Sequence, residues 1–329
     1  MFHYHAYNLG ISSFLPLPEL PTSAGAGLDV SIRLGRLAWS PAIPARKNEP
    51  FFESVGDRAY LAWEPLGKYS VQAGSEVVVD PTKEVDESLL RQPLLGVVMA
   101  ILHHQRGRLV FHASAVEIDD GAVIFLGNKV SGKSTMAAAL CNTGNRLLAD
   151  DVVVIEFDRN GQAYVLPGYP QVKLYPDTIS QLGQDPDALP PLAPGLMKRA
   201  CQMTDRFSEK ALPLRRVYVL ASDAQTAVRH LQPQDALLWL MSNSYVARFG
   251  KQLLSSDSAS RHLSQCIDLV RRVPVRCLER PRALELLPAV VELIEADSRT
   301  RADVVPVEMA VDQPSRHYAS QASESSKIA

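Results

Sequence analysis

The stretch that decides the reading is GNKVSGKST: Gly127, Asn128, Lys129, Val130, Ser131, Gly132, Lys133, Ser134 and Thr135. It fits G-x-x-x-x-G-K-[ST], a loop whose successive backbone N–H groups turn inward on phosphate oxygens. Gly127 and Gly132 permit the tight path this requires. Such a loop needs a strand before it and a helix after it. "AVIFLG" (122–127) is a short apolar run that ends at the loop, and "KSTMAAALCNTG" (133–144) is an alanine-rich helix candidate stopped by Gly144. The helix start adds the positive end of its dipole. Lys133 is then placed for the β- and γ-phosphates of a nucleotide and Ser134 for Mg2+, with all nine residues as the nucleotide-binding set. ATPases, GTPases and kinases share this loop, so its surroundings must decide the chemistry.

"RLLADDVVVIEF" (146–157) reads as the next strand, with Asp150 and Asp151 side by side inside it. Two adjacent acids against an apolar run are costly to bury without a cation. Taken alone, they fit an exposed pair at a strand end equally well. Beside a phosphate loop, an acid on that strand commonly meets Mg2+, and a second can take a proton from an attacking hydroxyl. His112, in "VFHASAV" (110–116), lies among apolar and small residues, which leaves a structural histidine and an active-site partner both open. Lys198-Arg199 and Arg215-Arg216 read as solvated charges, with an arginine on a phosphate as the other option.

Outward from the loop, "ESLLRQPLLGVVMAILHHQRG" (87–107) has apolar positions at helical spacing, and "LVFHASAVEI" (109–118) is a strand candidate. Asn160-Gly161 marks a hairpin turn, and "DPDALPPLAPG" (185–195) a surface loop. "LRRVYVLAS" (214–222) and "RVPVRCLE" (272–279) add strands, while "DALLWLMSNSYVARFGKQLL" (235–254) and "RALELLPAVVELIEA" (282–296) add helices. Before residue 93, "HYHAYNLGIS" (3–12), "GLDVSIRLGRLAWS" (27–40) and "SEVVVDP" (75–81) alternate apolar with polar residues and are punctuated by Gly and Pro. The expected architecture is α/β: a small mainly antiparallel β domain (1–92), a phosphate-loop catalytic domain (93–297) and a disordered tail (298–329) that is rich in Ser, Gln and Glu.

Composition bounds the partners. The 329 residues are 46% hydrophobic and 21% charged, with a net charge of -2, so a core can form and no strong field points toward nucleic acid or anionic membrane. The four cysteines show no C-x-x-C or metal-ligand spacing, so reduced, mostly buried thiols in a cytoplasmic protein are expected. "MFHYHAYNLG" lacks a basic segment followed by an apolar one, so no secretory signal is expected. No apolar run reaches the roughly 20 residues that a bilayer requires.

The order of His112, the glycine loop and "RLLADD" (146–151) resembles the catalytic domain of the bacterial HPr serine kinase/phosphorylase, over about residues 95–180. The resemblance implies that Lys133 holds phosphate, that Ser134 binds Mg2+ and that Asp150 helps to position it. Asp151 then matches the proton acceptor, with His112 as its partner. The family's glycine-rich signature after the acids is absent, and "PGYPQVKLYPDTISQLG" (167–183) stands in its place. Its later metal-binding glutamate has no assigned counterpart, with Asp177 the acid left open. Four segments, "YHAYNLGISSFLPLPEL" (4–20), "RGRLVFHASAV" (106–116), "PGYPQVKLYPD" (167–177) and "LPLRRVYVL" (212–220), resemble the HPr-kinase-like proteins of peptide-maturation gene clusters. Some of those phosphorylate the C-terminal serine of a lasso peptide precursor.

The expectation is an ATP-dependent serine kinase with ATP and Mg2+ as cofactors and a peptide, the lasso precursor, as substrate. Asp151, His112 and Lys133 are its catalytic residues, and Ser134 and Asp150 its metal ligands. A homo-oligomer is implied by resemblance only. A small-molecule kinase of the same fold and a nucleotide-dependent scaffold remain the alternatives.

Overall fold

The structure is a computed structural model that describes residues 1–25, 27–41, 49–249 and 255–300. β1 (Phe2–Ala6) and β2 (Leu9–Ser13) form a hairpin turned by Tyr7 and Asn8, at φ 54° and 56°. That turn matches the twist of the strands it joins. β3 (Leu28–Leu34), β4 (Phe51–Val55), β5 (Arg58–Trp63), β6 (Gly67–Gln72) and β7 (Glu76–Pro81) complete a sheet in the order β1-β2-β3-β7-β6-β5-β4. The expected antiparallel pairing holds, except that β3 lies parallel to both β2 and β7. Alternation marks strands but not the crossovers that bring parallel ones together.

Asp86 caps the next helix by accepting from Ser88 N at 2.8 Å. α1 (Glu87–Pro93) continues through a π turn (Leu94–Val98) into α2 (Met99–Gln105). Pro93 has no N–H to donate to the ladder, and the wider turn follows it directly. Leu90, Leu94, Val98 and Met99 share one core with Tyr7, Ile11 and Tyr69 of the sheet, and with Val152, Val154 and Tyr169 of the loop-bearing body. A boundary at 92/93 would cut this helix and divide that core.

The second sheet and its surroundings use, in chain order, β8 (Leu109–Phe111), β9 (Ser114–Ile118), β10 (Gly121–Leu126), α3 (Lys133–Asn142), β11 (Arg146–Asp150), β12 (Val153–Phe157) and β13 (Ala163–Val165). A separate ribbon follows, β14 (Gln171–Leu174) with β15 (Arg199–Gln202), with α4 (Pro176–Gln181) between them. β16 (Leu212–Ser222), β17 (Ala227–His230), α5 (Pro233–Asn243), α6 (Tyr245–Phe249), α7 (Ser256–Arg272), β18 (Val275–Arg280) and α8 (Leu287–Arg299) complete the chain. β10, β16 and β18 run parallel at the sheet's centre. β9 and β11 extend it on one side, β17 on the other, and β13, β12 and β8 branch from the start of β16. Successive residues of β10 face opposite ways. Phe125 packs with Met136, Leu140 and Ile294 of α3 and α8, and Ile124 packs with Trp239, Leu240 and Leu269 of α5 and α7.

Several expectations change in detail. The single strand expected over 146–157 is two strands, broken at Asp151 with φ 72°. Its halves pair with different neighbours, β11 with β9 and β12 with β8. A continuous apolar run carries no mark of such a turn. The Asn160-Gly161 hairpin forms as expected, with Asp158 Oδ1 accepting from Asn160 N and Gln162 N, both at 2.8 Å. The helix expected over 235–254 breaks at Ser244, which bridges to Phe111, and 250–254 lie outside the described residues. α8 runs on through Ser298 and Arg299, while 301–329 of the expected tail lie outside the described residues. Among the described residues no helix is long and apolar enough to cross a membrane.

Candidate active site

The glycine loop leaves the C-terminal end of β10, at the edge where open α/β sheets gather ligand groups. Gly127 sits at φ 150°, and a Cβ there would lie 2.6 Å from Ser131 Oγ. Gly132 caps α3 from the left-handed region, at φ 93°. Asn128, Lys129 and Val130 form the exposed crest, and Ser131, Ser134 and Thr135 are half-buried. Lys133 is 7% exposed, and its Nζ turns back to donate to the carbonyl oxygens of Gly127 (2.8 Å) and Asn128 (3.0 Å).

Asp150 ends β11 and is 4% exposed. Its Oδ1 accepts from Ser134 Oγ at 2.8 Å and Ser114 Oγ at 2.6 Å, and its Oδ2 accepts from Lys173 N at 3.1 Å. Three donors satisfy a carboxylate that would otherwise be costly to bury. Ser134 and Asp150 thus present hard oxygens to each other, a donor set that suits Mg2+. That ion takes one or two carboxylates and completes its shell with phosphate oxygens and water. Accordingly it needs no cage of three acids, and none gathers among the described residues.

The positive φ at Asp151 aims its side chain into a different cluster from that of Asp150. Its Oδ1 lies 2.9 Å from His112 Nδ1 and accepts from the Tyr245 hydroxyl at 3.2 Å, while its Oδ2 lies 3.0 Å from Lys173 Nζ. Burial pushes the Asp151 carboxyl up, but Lys173 and His112 outweigh it and hold it well below the usual carboxylate range. Lys173 shows the converse: burial pushes its ammonium down, and Asp151 more than restores it. Lys173 therefore ties the two acids together, backbone N on one and Nζ on the other. The side chains of His112 and Asp151 keep 20% and 22% exposure, so the cluster is open to a reactant.

Two further residues brace this arrangement. Asn243 ends α5, is 8% exposed, and joins both halves of the site. Its Oδ1 accepts from Gly127 N at 3.1 Å, and its carbonyl accepts from His112 N at 3.0 Å. Tyr245 starts α6 and sets its ring edge-on to His112, with centroids 5.9 Å apart. On the opposite side the π turn passes close to the acid, where a Cβ on Gly96 would lie 3.5 Å from Asp151 Oδ2. π turns recur at functional sites.

Lys133, Ser134, Asp150, Asp151 and His112 are thus brought together, and His112 is a close side-chain neighbour of Asp151 rather than a residue packed only among apolar groups. Lys173, Asn243 and Tyr245 are additions that the motifs did not indicate. Lys173 carried one signal, a lysine flanked by Val172 and Leu174 in a buried strand. The other polar candidates lie in local or structural contacts. Asp177 Oδ1 accepts from Thr178 N at 2.7 Å in the first turn of α4. Arg199 pairs with Asp187 at 3.7 Å, Lys198 lies over the Tyr175 ring, and Arg215 donates to the Asp119 carbonyl at 2.7 Å. Arg216 is not solvated; it is 2% exposed and pairs with Asp297 at 2.7 Å. All four cysteines are buried, and burial pushes the Cys141 and Cys266 thiols up to about 12.

No family model matches this chain, and no curated protein matches it. Among solved structures, the Hpr(Ser) kinase/phosphatase from Coxiella burnetii aligns over 57% of this chain and 89% of that chain, with 14% sequence identity and a TM-score of 0.31. A superposition that loose assigns neither fold nor role, and the site stands on its own contacts.

Proposed function

We propose that the protein is an ATP-dependent kinase that phosphorylates a serine hydroxyl of a peptide. One observation supports the kinase chemistry above the others. The loop lysine, the Ser134–Asp150 oxygen pair and the His112–Asp151–Lys173 cluster meet at the end of β10 and β11. A nucleotide scaffold has no use for the third of these groups.

ATP with Mg2+ would supply the phosphoryl group and offset its negative charge. Lys133 would exchange the Gly127 and Asn128 carbonyls for phosphate oxygens, and Ser134 and Asp150 would hold the metal. Asp151 takes the proton of the acceptor hydroxyl. A carboxylate held so far down is ionised throughout the neutral range, and the loose transition state asks for the proton late. His112, Tyr245 and Lys173 keep that carboxylate oriented, and Asn243 keeps His112 and the loop in register.

The acceptor is proposed from the resemblance of residues 4–20, 106–116, 167–177 and 212–220, which points to the C-terminal serine of a lasso precursor. A homo-oligomer is proposed from the resemblance of residues 95–180 to the HPr kinases, and a cytoplasmic location from the cysteine usage. The test is mass spectrometry after incubation with ATP, Mg2+ and a precursor-like peptide ending in serine. A gain of one phosphate on that serine supports the proposal. Tight ATP binding without transfer to any peptide, sugar or nucleoside would overturn the catalytic role.

A further inference from the structure

β18 ends at Arg280, which is in register with Ser222 of parallel β16. Arg280 therefore emerges at the edge from which the glycine loop leaves β10. It is 6% exposed. Its Nη2 donates to Ser131 O at 2.9 Å and its Nη1 to Pro281 O at 3.3 Å, both neutral carbonyls, while its Nε has no hydrogen-bond partner. A Cβ on Gly132 would collide with Nη2, so the guanidinium lies directly against the second glycine of the loop.

The other two buried arginines among the described residues each have a carboxylate beside them. Arg216 and Arg276 both pair with Asp297. Glu279, adjacent to Arg280, faces across the sheet to Arg229, at 2.6 Å. Among the described residues no carboxylate lies at ion-pair distance from Arg280. Burial, and after it the charge of Arg282, pushes the guanidinium down. A buried cation without a counter-charge is unfavourable unless an anion completes it. A guanidinium carries five donors in a fork that matches phosphate geometry, more than two carbonyls can use.

We infer that Arg280 is a nucleotide-binding residue whose guanidinium contacts the polyphosphate at the Ser131–Gly132 end of the loop. The inference rests on the nucleotide-binding role proposed above and adds a second cation to Lys133. It also explains why a glycine stands at 132 beyond its φ of 93°: any side chain there would displace the arginine.

The experiment uses the full chain with Arg280→Met, which keeps much of the volume and removes the charge. Thermal melting of the ligand-free protein is measured alongside calorimetric titration with Mg-ATP and with inorganic pyrophosphate. Stability and affinity should part: the melting midpoint stays level or rises, because an uncompensated buried charge is gone. Affinity for ATP and pyrophosphate should fall by roughly 10- to 100-fold, the range for charge-assisted hydrogen bonds. A lower midpoint, or loss of folding, would mean that Arg280 braces Ser131 structurally, and the inference fails. Unchanged affinity for both ligands, with wild type binding tightly, overturns it too and leaves the kinase proposal standing. Wild type that binds neither ligand overturns both.

Discussion

Exchanging Asp151 for asparagine removes one negative charge and keeps the shape, and the structure sets two consequences. The backbone there lies at φ 72°, a conformation asparagine tolerates as aspartate does, so no strain is added. His112 and Tyr245 still find a side-chain oxygen, but Lys173 loses its counter-charge. Breaking a fully buried pair costs about 3–5 kcal/mol. Asp151 and Lys173 keep 22% and 14% side-chain exposure, which lets solvent recover part of that. The expected loss of stability is about 2–3 kcal/mol. Its pH dependence has a defined sign. The carboxyl is lower in the folded protein than in the unfolded chain, where it titrates near 4. Its contribution is therefore complete above about pH 5 and fades as the pH falls below about 4 toward the folded value. The gap between wild type and variant in urea titrations should hold from pH 7 to about 5 and narrow only below that. Adding Lys173→Met should return most of the loss, since a neutral pair leaves no stranded charge. In single-turnover transfer, the chemical step should slow by roughly 10²–10⁴-fold. Mg-ATP affinity should change little, because Lys133, Ser134 and Asp150 remain. A transfer rate within tenfold of wild type would refute the proton-acceptor role. A stability gap that already closes between pH 7 and 5 would refute the depressed carboxylate.

Lys133→Ala is expected to abolish nucleotide binding without unfolding the chain, because it removes hydrogen bonds to two carbonyls of the loop itself and not to the sheet; a normal ATP titration would sink the loop assignment. Tyr7→Ala empties a fully buried site whose ring packs edge-on to His103, and should cost about 3–5 kcal/mol in urea midpoint analysis, whereas Tyr7→Phe should cost about 1 kcal/mol or less. A loss below about 1 kcal/mol for the alanine would show that the N-terminal hairpin does not hold the body together. Asn243→Ala removes the acceptor for Gly127 N and should raise the KM for ATP more than it lowers kcat; an effect on kcat alone would contradict a loop-positioning role.

The glycine loop is legible in the sequence because it is a local object. Its glycines, its lysine and its helix start lie within nine residues, and backbone geometry over so short a span follows from residue type. The acid pair and the alternating strands of the N-terminal sheet are legible for the same reason. The break at Asp151 is not: Val152 to Ile155 are all buried, and an apolar run looks alike whether it continues or turns. Nor is the partner of His112, whose 2.9 Å approach to Asp151 appears only in the fold. Lys173 reaches Asp151 across 22 residues of chain, Tyr245 across 94, Asn243 reaches Gly127 across 116, and Arg280 reaches Ser131 across 149. No local preference encodes such meetings. The sequence by itself determined which groups could bind phosphate and accept a proton. The packing of two sheets and a kinked helix decided which distant side chains would orient them, because burial, not adjacency, brings those side chains within hydrogen-bond reach.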